Sequence, residues 1–363
     1  MRIMNNGIEQ VIAKLRAQAD ELWPEAPPDD FRVVRHFVRP YSNVYRLQLV
    51  PRAERSLATP SRFIYVKILS RRATFQSNPE KYLARLATEF AAGRRLHEAL
   101  GSAKEFGVVK PVAYYPECLA MVTEEAFGAP LSNVITRDGK LWPAADKLEQ
   151  LATHCRRAGQ ALAVMQKATR EASRYDPAEL IEYIDVRMQR LLESDRVPFS
   201  AADRRQILRF LESAIPAIPV EQLGMSGCHS DYAPFNLLAA ADKITVADFT
   251  MFKIGSVYND LTYFCHRLEG YLHKPIYRSQ TIRRLQDEFL RGYTEASGHA
   301  GREWRVAEDL LFKIFWIKHV VNNYSAIMRQ RVVIKGKRAS LPAQLFNRRV
   351  FRRYNRWLSE VCQ

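Results

Sequence analysis

The sequence lacks several features that mark common protein classes. Its 363 residues contain no apolar run of 18, which argues against a membrane-spanning helix. Its five cysteines are scattered without metal-ligand spacing, so neither a disulfide framework nor a zinc site is expected. No low-complexity tract interrupts the chain, and 47% hydrophobic content supports a folded core. The first 23 residues lack the apolar centre of a secretory signal and predict an amphipathic helix, which favours the cytoplasm.

Positive charge is in excess and concentrated late in the chain. Lys and Arg number 55 against 39 Asp and Glu, and residues 301–363 hold 14 of the former and 4 of the latter. Such a field attracts phosphate, nucleic acid or anionic lipid surfaces. No nucleic-acid motif accompanies it, so nucleic-acid binding is not favoured. The basic segment 329–357 is therefore either a solvated tail or a peripheral contact with an anionic membrane.

The two halves of the chain have different periodicity. Residues from about 30 to 125 alternate short strand-like runs, such as "VYRLQLV" and "RFIYVKILS", with one helix from 79 to 101. Residues 144–215 and 276–363 have mainly helical spacing, and a loop with strand-like flanks lies between them. The pattern predicts an α+β protein divided into a sheet-rich part at 1–121, a hinge at 122–128 and a helical part at 129–363.

The stretch "CHSDYAPFNLL" and the later "ITVADF" carry the most specific chemistry. Asn236 follows Asp231 by five residues, and Asp248 ends an apolar strand. Phosphoryl transfer from ATP needs a carboxylate to accept or orient the acceptor's proton, and hard oxygen ligands to hold magnesium on the phosphates. Asp231 fits the first role, whereas Asn236 and Asp248 fit the second.

These residues resemble the catalytic and metal-binding loops of the aminoglycoside phosphotransferase and choline kinase superfamily, which are small-molecule relatives of protein kinases. That family's loop typically reads His-Gly-Asp-x4-Asn, followed by a hydrophobic strand, Asp-Phe, a glycine and Asp-Leu. Gly255 and Asp260 fill the last places here. The resemblance implies a protein kinase-like two-lobed fold, with a small antiparallel sheet lobe that binds ATP and a larger helical lobe.

The upstream half agrees with the same family. Lys67 matches its strand lysine, which contacts ATP phosphates, and Glu89 matches the helix glutamate that pairs with it. Read without the resemblance, Lys67 could guard an edge strand and Glu89 could be a solvated helix residue. The other nucleotide contacts that the resemblance implies are Ser42 and Asn43 in the nucleotide loop and Val122, Glu124 and Ala126 in the adenine-binding hinge.

One departure from the family pattern concerns the loop itself. Ser230 replaces the usual glycine, and a positive φ there would strain a serine. The nucleotide loop also lacks glycine. Beside the active kinase, the sequence therefore leaves open a catalytically weak nucleotide-binding scaffold on the same fold.

The expected activity is an ATP- and Mg²⁺-dependent transfer of the γ-phosphate to a hydroxyl of a small molecule. The net charge of +16 would repel a cation at long range, which favours a sugar, a glycan intermediate or a similar neutral or anionic acceptor. A cationic acceptor, such as an aminoglycoside or choline, is the second choice. The resemblance places the acceptor near Tyr263, His266, Arg267 and Glu269.

Overall fold

A computed structural model describes residues 6–39, 42–51, 62–69, 79–194, 197–298, 309–333 and 341–362. The fold is α+β, and the chain divides into two compact units. The first comprises residues 1–129 and 238–252, and the second comprises 130–237 and 253–363. The proposed division at a hinge of residues 122–128 remains a prediction, and the return of 238–252 to the first unit was not foreseen.

The first unit is built on a five-stranded antiparallel sheet of order β1-β2-β3-β6-β5. Its strands are β1 (Pro28–Val38), β2 (Ser42–Pro51), β3 (Arg62–Leu69), β5 (Pro111–Tyr115) and β6 (Ala120–Glu124). Tyr45, Leu47 and Leu49 alternate inward along β2, as the sequence predicted. Ile64 and Val66 face the same core from β3, which leaves Lys67 on the opposite face of the sheet.

The first unit also contains helices. The helices are α1 (Asn6–Ala17), the short α2 (Ala19–Leu22) and α3 (Pro79–Leu100). The predicted amphipathic helix is confirmed, because Ile8, Val11, Ile12 and Leu15 of α1 are buried at helical spacing in the sheet's core. Strand β4 (Phe106–Val108) pairs in parallel with β11 (Ile244–Val246), so a late strand of the chain is held in the first unit.

The second unit is mainly helical. Its helices are α4 (Leu131–Asp138), α5 (Ala145–Ala168), α6 (Pro177–Ser194), α7 (Ala201–Ala214), α8 (Tyr258–Glu269), α9 (Ser279–Ser297), α10 (Leu310–Val333) and α11 (Leu341–Val361). A three-stranded antiparallel sheet of order β12-β9-β8 joins them, from β8 (Glu171–Arg174), β9 (Gly224–Cys228) and β12 (Lys253–Ser256). The short strands β7 (Ala129–Pro130) and β10 (Leu237–Ala239) lie where the chain passes from one unit to the other.

Two glycines let α5 and α9 cross at close range. A Cβ placed on Gly159 would lie 2.0 Å from the carbonyl oxygen of Phe289, and one on Gly292 would lie 2.0 Å from that of Arg156. Neither position can therefore carry a side chain without a shift of the backbone opposite. The crossing fixes α5, whose Ala158 carbonyl accepts a hydrogen bond of 2.7 Å from the buried hydroxyl of Tyr232.

None of the helices in the described part of the chain combines the length and apolar character needed to cross a membrane. Much of the basic segment 329–357 falls outside the described side chains. Its contact with an anionic membrane therefore stays a prediction.

Candidate active site

Lys67 and Glu89 form a buried ion pair in the first unit. The Lys67 ammonium on β3 donates to both carboxylate oxygens of Glu89 on α3, at 2.9 and 3.1 Å, and Glu89 is only 2% exposed. Burial lowers the pKa of Lys67, but the carboxylates of Glu89 and Asp248 raise it by more, so the ammonium stays charged. The pairing excludes both the edge-strand guard and the solvated helix glutamate.

Asp248 joins this pair from the loop after β11. Its Oδ1 accepts from the Lys67 ammonium at 3.2 Å, and its side chain remains half exposed. Thr250, which the sequence reading missed, completes the group, because its hydroxyl contacts Lys67 at 2.5 Å and Glu89 at 3.0 Å. A threonine directly after an Asp-Phe dipeptide carries no signal of its own in a single sequence.

Asp231 lies in the loop after β9, in the second unit, where two side chains fix its carboxylate. The Tyr263 hydroxyl on α8 donates to Oδ1 at 2.9 Å, and the Asn236 amide donates to Oδ2 at 3.1 Å. The same Asn236 amide nitrogen donates to the Asp231 carbonyl at 2.9 Å, so its amide oxygen points away from Asp231. Burial raises the pKa of Asp231, and the Tyr263 hydrogen bond and the nearby positive charge of Arg267 oppose that rise in part.

Asp260 on α8 anchors the loop that carries Asp231. Its carboxylate is fully buried and accepts from the backbone amides of His229 at 2.6 Å and Ser230 at 2.8 Å. It therefore anchors the loop from inside the first turn of α8. Asn259 donates to Asp260 at 3.0 Å, and the partly buried Lys318 donates to Asn259 in turn. Burial lowers the pKa of Lys318 to about 8.

Ser230 adopts the left-handed backbone conformation that its place in the loop requires. Its φ is 63°, the value that a glycine would accept without a steric penalty. Its hydroxyl is buried and has no hydrogen-bond partner among the described residues. Ser230 therefore has the positive φ that would strain a serine, and the two short bonds to Asp260 hold the loop in that conformation.

The residues of the expected nucleotide loop lie where β1 turns into β2. Ser42 begins β2 and is buried, and its carbonyl accepts from the Arg39 amide at 2.8 Å. The Asn43 side-chain oxygen lies 3.0 Å from His36 Nε2. Residues 40 and 41 are outside the described part of the chain, and the nucleotide contacts of Ser42 and Asn43 stay a prediction.

The expected adenine-binding segment follows β6. The Val122 side chain is fully buried in the core that α1 covers, so it faces away from Lys67. Glu124 pairs with Lys110 at 2.8 Å, and Ala126 follows the strand in the loop before β7. Met121, which lies opposite Lys67 across the β3–β6 ladder, shares the face of Lys67 instead. The nucleotide contacts of Val122, Glu124 and Ala126 stay a prediction.

The region expected to hold the acceptor lies along α8. The Arg267 guanidinium lies 5.9 Å from the ring centroid of Tyr263 and 5.3 Å from that of Phe235. Burial lowers the pKa of His266 to about 3, so its imidazole is neutral. Glu269 accepts from Arg353 at 3.1 Å, so its charge is offset.

A family model described as the phosphotransferase enzyme family, APH, matches residues 59–310. The match spans more than half of the chain and includes both groups of side chains described above. The chain belongs to the APH phosphotransferase family. Its fold is that of the kinase-like, two-lobed phosphotransferases, and this fold implies ATP as the phosphate donor.

Several solved structures share the fold of this chain. A choline/ethanolamine kinase family protein from Mesorhizobium loti shares 16% identity with a TM-score of 0.55, and the match covers 98% of this chain and 96% of that one. A choline kinase from Cryptosporidium parvum Iowa II shares 14% identity with a TM-score of 0.58, over 98% of this chain and 96% of that one. An amicoumacin kinase in complex with AMP-PNP, Ca²⁺ and Ami shares 12% identity with a TM-score of 0.52, over 97% and 93%. Among curated proteins, none matches the sequence.

The donor atoms of this APH member suit magnesium. Asn236 offers an amide oxygen, and Asp248 offers a half-exposed carboxylate. Hard oxygen atoms of these kinds are the ligands that Mg²⁺ prefers, and this ion commonly takes only one or two protein ligands when a phosphate supplies others. The described residues contain no cluster of three or more His, Cys, Asp or Glu that could hold a metal ion.

Proposed function

We propose that this APH-family member transfers the γ-phosphate of ATP to a hydroxyl group of a small molecule. The observation that carries the proposal is the Asp231 carboxylate, which Tyr263 and Asn236 hold in one orientation. A carboxylate fixed in this way can receive the proton of an acceptor hydroxyl, and the family supplies the phosphoryl-transfer chemistry.

Asp231 serves as the catalytic base or as the group that orients the acceptor hydroxyl. Burial raises its pKa, so the carboxylate is a stronger base than that of an exposed aspartate. The Tyr263 and Asn236 hydrogen bonds restrict its rotation. Pre-organisation of this kind lowers the cost of reaching the reactive geometry.

Lys67 offsets negative charge on the phosphates of ATP. Its ammonium is held by Glu89 and Thr250, so it need not be ordered when the nucleotide binds. Asn236 and Asp248 would hold magnesium, which neutralises charge on the phosphate oxygens when it is bound. We propose that these side chains and Asp231 act in one reaction.

The acceptor is best argued from charge, because relatives at 12 to 16% identity indicate only the fold. The net charge of +16 disfavours long-range attraction of a cation. We therefore favour a sugar, a glycan intermediate or a similar neutral or anionic metabolite. A cationic acceptor, such as choline or an aminoglycoside, is the runner-up.

The experiment incubates the full-length protein with ATP and Mg²⁺ and with pools of hydroxyl compounds that are cationic, neutral or anionic. Phosphorus NMR then identifies any new phosphomonoester. We expect one to form in the neutral or the anionic pool. ATP binding without a phosphomonoester from any pool would instead support the nucleotide-binding scaffold, and turnover confined to the cationic pool would overturn the preferred acceptor class.

A further inference from the structure

The side chains around Asp231 carry a charge pattern that bears on the acceptor. Arg267 follows Tyr263 by one turn of α8, and its guanidinium lies over the rings of Tyr263 and Phe235. Both rings belong to the immediate surroundings of Asp231, because Tyr263 donates to its carboxylate and Phe235 precedes Asn236 in the loop. The Arg267 charge is also close enough to lower the pKa of Asp231.

Arg267 has no carboxylate within ion-pair distance in the part of the chain that the structure describes. Two arginines of the same unit differ in this respect, since Arg353 pairs with Glu269 and Arg204 pairs with Asp185. Contacts with aromatic rings position a guanidinium without neutralising it. The Arg267 guanidinium is therefore positioned by the rings, keeps its positive charge and has N–H groups available to donate hydrogen bonds.

The side chains next to Arg267 do not provide free carboxylates that would bind a cationic acceptor. Glu269 is engaged by Arg353, and Asp260 is fully buried under the loop and accepts from its amides. His266 and His319 stay neutral because burial lowers the pKa of each. The described residues of α8 therefore leave no uncompensated carboxylate near Arg267. Asp231, in the loop after β9, is the carboxylate that the proposed reaction itself uses.

We propose that Arg267 is a specificity-determining residue, which binds a carboxylate or phosphate group carried by the acceptor beside the hydroxyl that is phosphorylated. The planar guanidinium can donate two parallel hydrogen bonds to either group. This inference rests on the proposed function, and it narrows the neutral or anionic acceptor to an anionic hydroxyl compound.

The test compares three small compounds of the same carbon number: D-glycerate, glycerol and 3-amino-1,2-propanediol. Their binding to the full-length protein is followed by ligand-observed NMR, with Mg²⁺ and a non-hydrolysable ATP analogue at saturation. The wild type is expected to bind D-glycerate at least about tenfold more tightly than the other two. Arg267→Met, which keeps an apolar stem on the rings, should abolish that preference, and Arg267→Lys should restore only part of it.

Arg278→Met is the matched control, because Arg278 also lies over an aromatic ring, that of Trp142, and is absent from the groups that shift the pKa of Asp231. It should leave the preference for D-glycerate unchanged. The proposal is overturned if the wild type binds none of the three compounds, if the amine binds as tightly as D-glycerate, or if the preference survives Arg267→Met. Because no phosphoryl transfer is measured, a failure here is distinguishable from a failure of the proposed reaction, in which no phosphomonoester forms.

Discussion

At the scale of single residues, the conformation of Ser230 shows how the loop around Asp231 is held. Its φ of 63° is unfavourable for a serine, and it persists because the backbone amides of His229 and Ser230 both bond to Asp260. The buried hydroxyl of Ser230 has no partner among the described residues and adds a desolvation cost. The loop is therefore maintained against a local penalty.

Replacing Ser230 with glycine should remove both penalties. We expect Ser230→Gly to raise the free energy of unfolding by about 1 kcal/mol, because relief of the left-handed strain exceeds the added flexibility of the unfolded chain. Ser230→Ala removes the hydroxyl but keeps the strained Cβ, so it should gain less. Urea denaturation of the three proteins measures the difference, and a glycine variant less stable than the wild type would contradict the explanation.

The hydrogen bond from Tyr263 to Asp231 should influence the pH at which activity declines on the acidic side. The proposed role of Asp231 requires its ionised form, and burial raises its pKa, so activity should fall at a higher pH than it would with an exposed aspartate. The Tyr263 hydroxyl favours the anion and lowers that pKa, so Tyr263→Phe should move the acidic limb of the kcat profile to still higher pH.

The control for this profile is Tyr271→Phe, which removes a hydroxyl that donates to the Ser132 carbonyl rather than to Asp231. Its acidic limb should coincide with that of the wild type. An acidic limb that stays in place in Tyr263→Phe, or that moves to lower pH, would show that Asp231 does not govern the decline.

At the scale of elements, the crossing of α5 and α9 supports the loop from a distance. Gly159 and Gly292 allow the two backbones to approach, and the neighbouring Ala158 carbonyl accepts from the Tyr232 hydroxyl in the loop. The position of α5 is thus linked to the residue that directly follows Asp231. A change at the crossing should affect both stability and the loop.

Gly159→Ala should lower the free energy of unfolding by about 2 to 3 kcal/mol, because the new methyl group would meet the Phe289 carbonyl and a backbone must move. Gly270→Ala is the control, since a Cβ at Gly270 meets nothing within 4 Å, and it should be neutral or slightly stabilising. Thermal unfolding of both variants measures this, and equal midpoints would show that the crossing tolerates a side chain.

The elements also show what the sequence could and could not predict. Hydrophobic alternation predicted β2 and β3, and helical spacing predicted α1 and α3, because each pattern reflects burial of one face of the element. The loop motif predicts Asp231, Asn236 and Asp248 as site residues because their types and spacing are unusual together, and this assignment stays a prediction. The parallel pairing of β4 with β11, the contact of Thr250 with Lys67 and the ring contacts of Arg267 depend on residues far apart in the chain, which no local pattern encodes.

At the scale of the whole molecule, each compact unit holds one set of candidate site residues. The first holds Lys67, Glu89 and Asp248, and the second holds Asp231 and Asn236. The proposed function requires that both sets serve a single phosphoryl transfer. The net charge of +16 is also a property of the whole molecule. Its electrostatic interaction with a charged acceptor acts at long range, and this interaction weakens as salt is added.

The most direct test of phosphoryl transfer to a hydroxyl compares the wild type with Asp231→Asn. We expect both proteins to bind ATP equally, and Asp231→Asn to form the phosphorylated acceptor about 10² to 10⁴ times more slowly, since the amide cannot accept the hydroxyl proton. Asp242→Asn, which alters an exposed turn, should match the wild type. Equal rates of product formation by the wild type and Asp231→Asn would contradict the account.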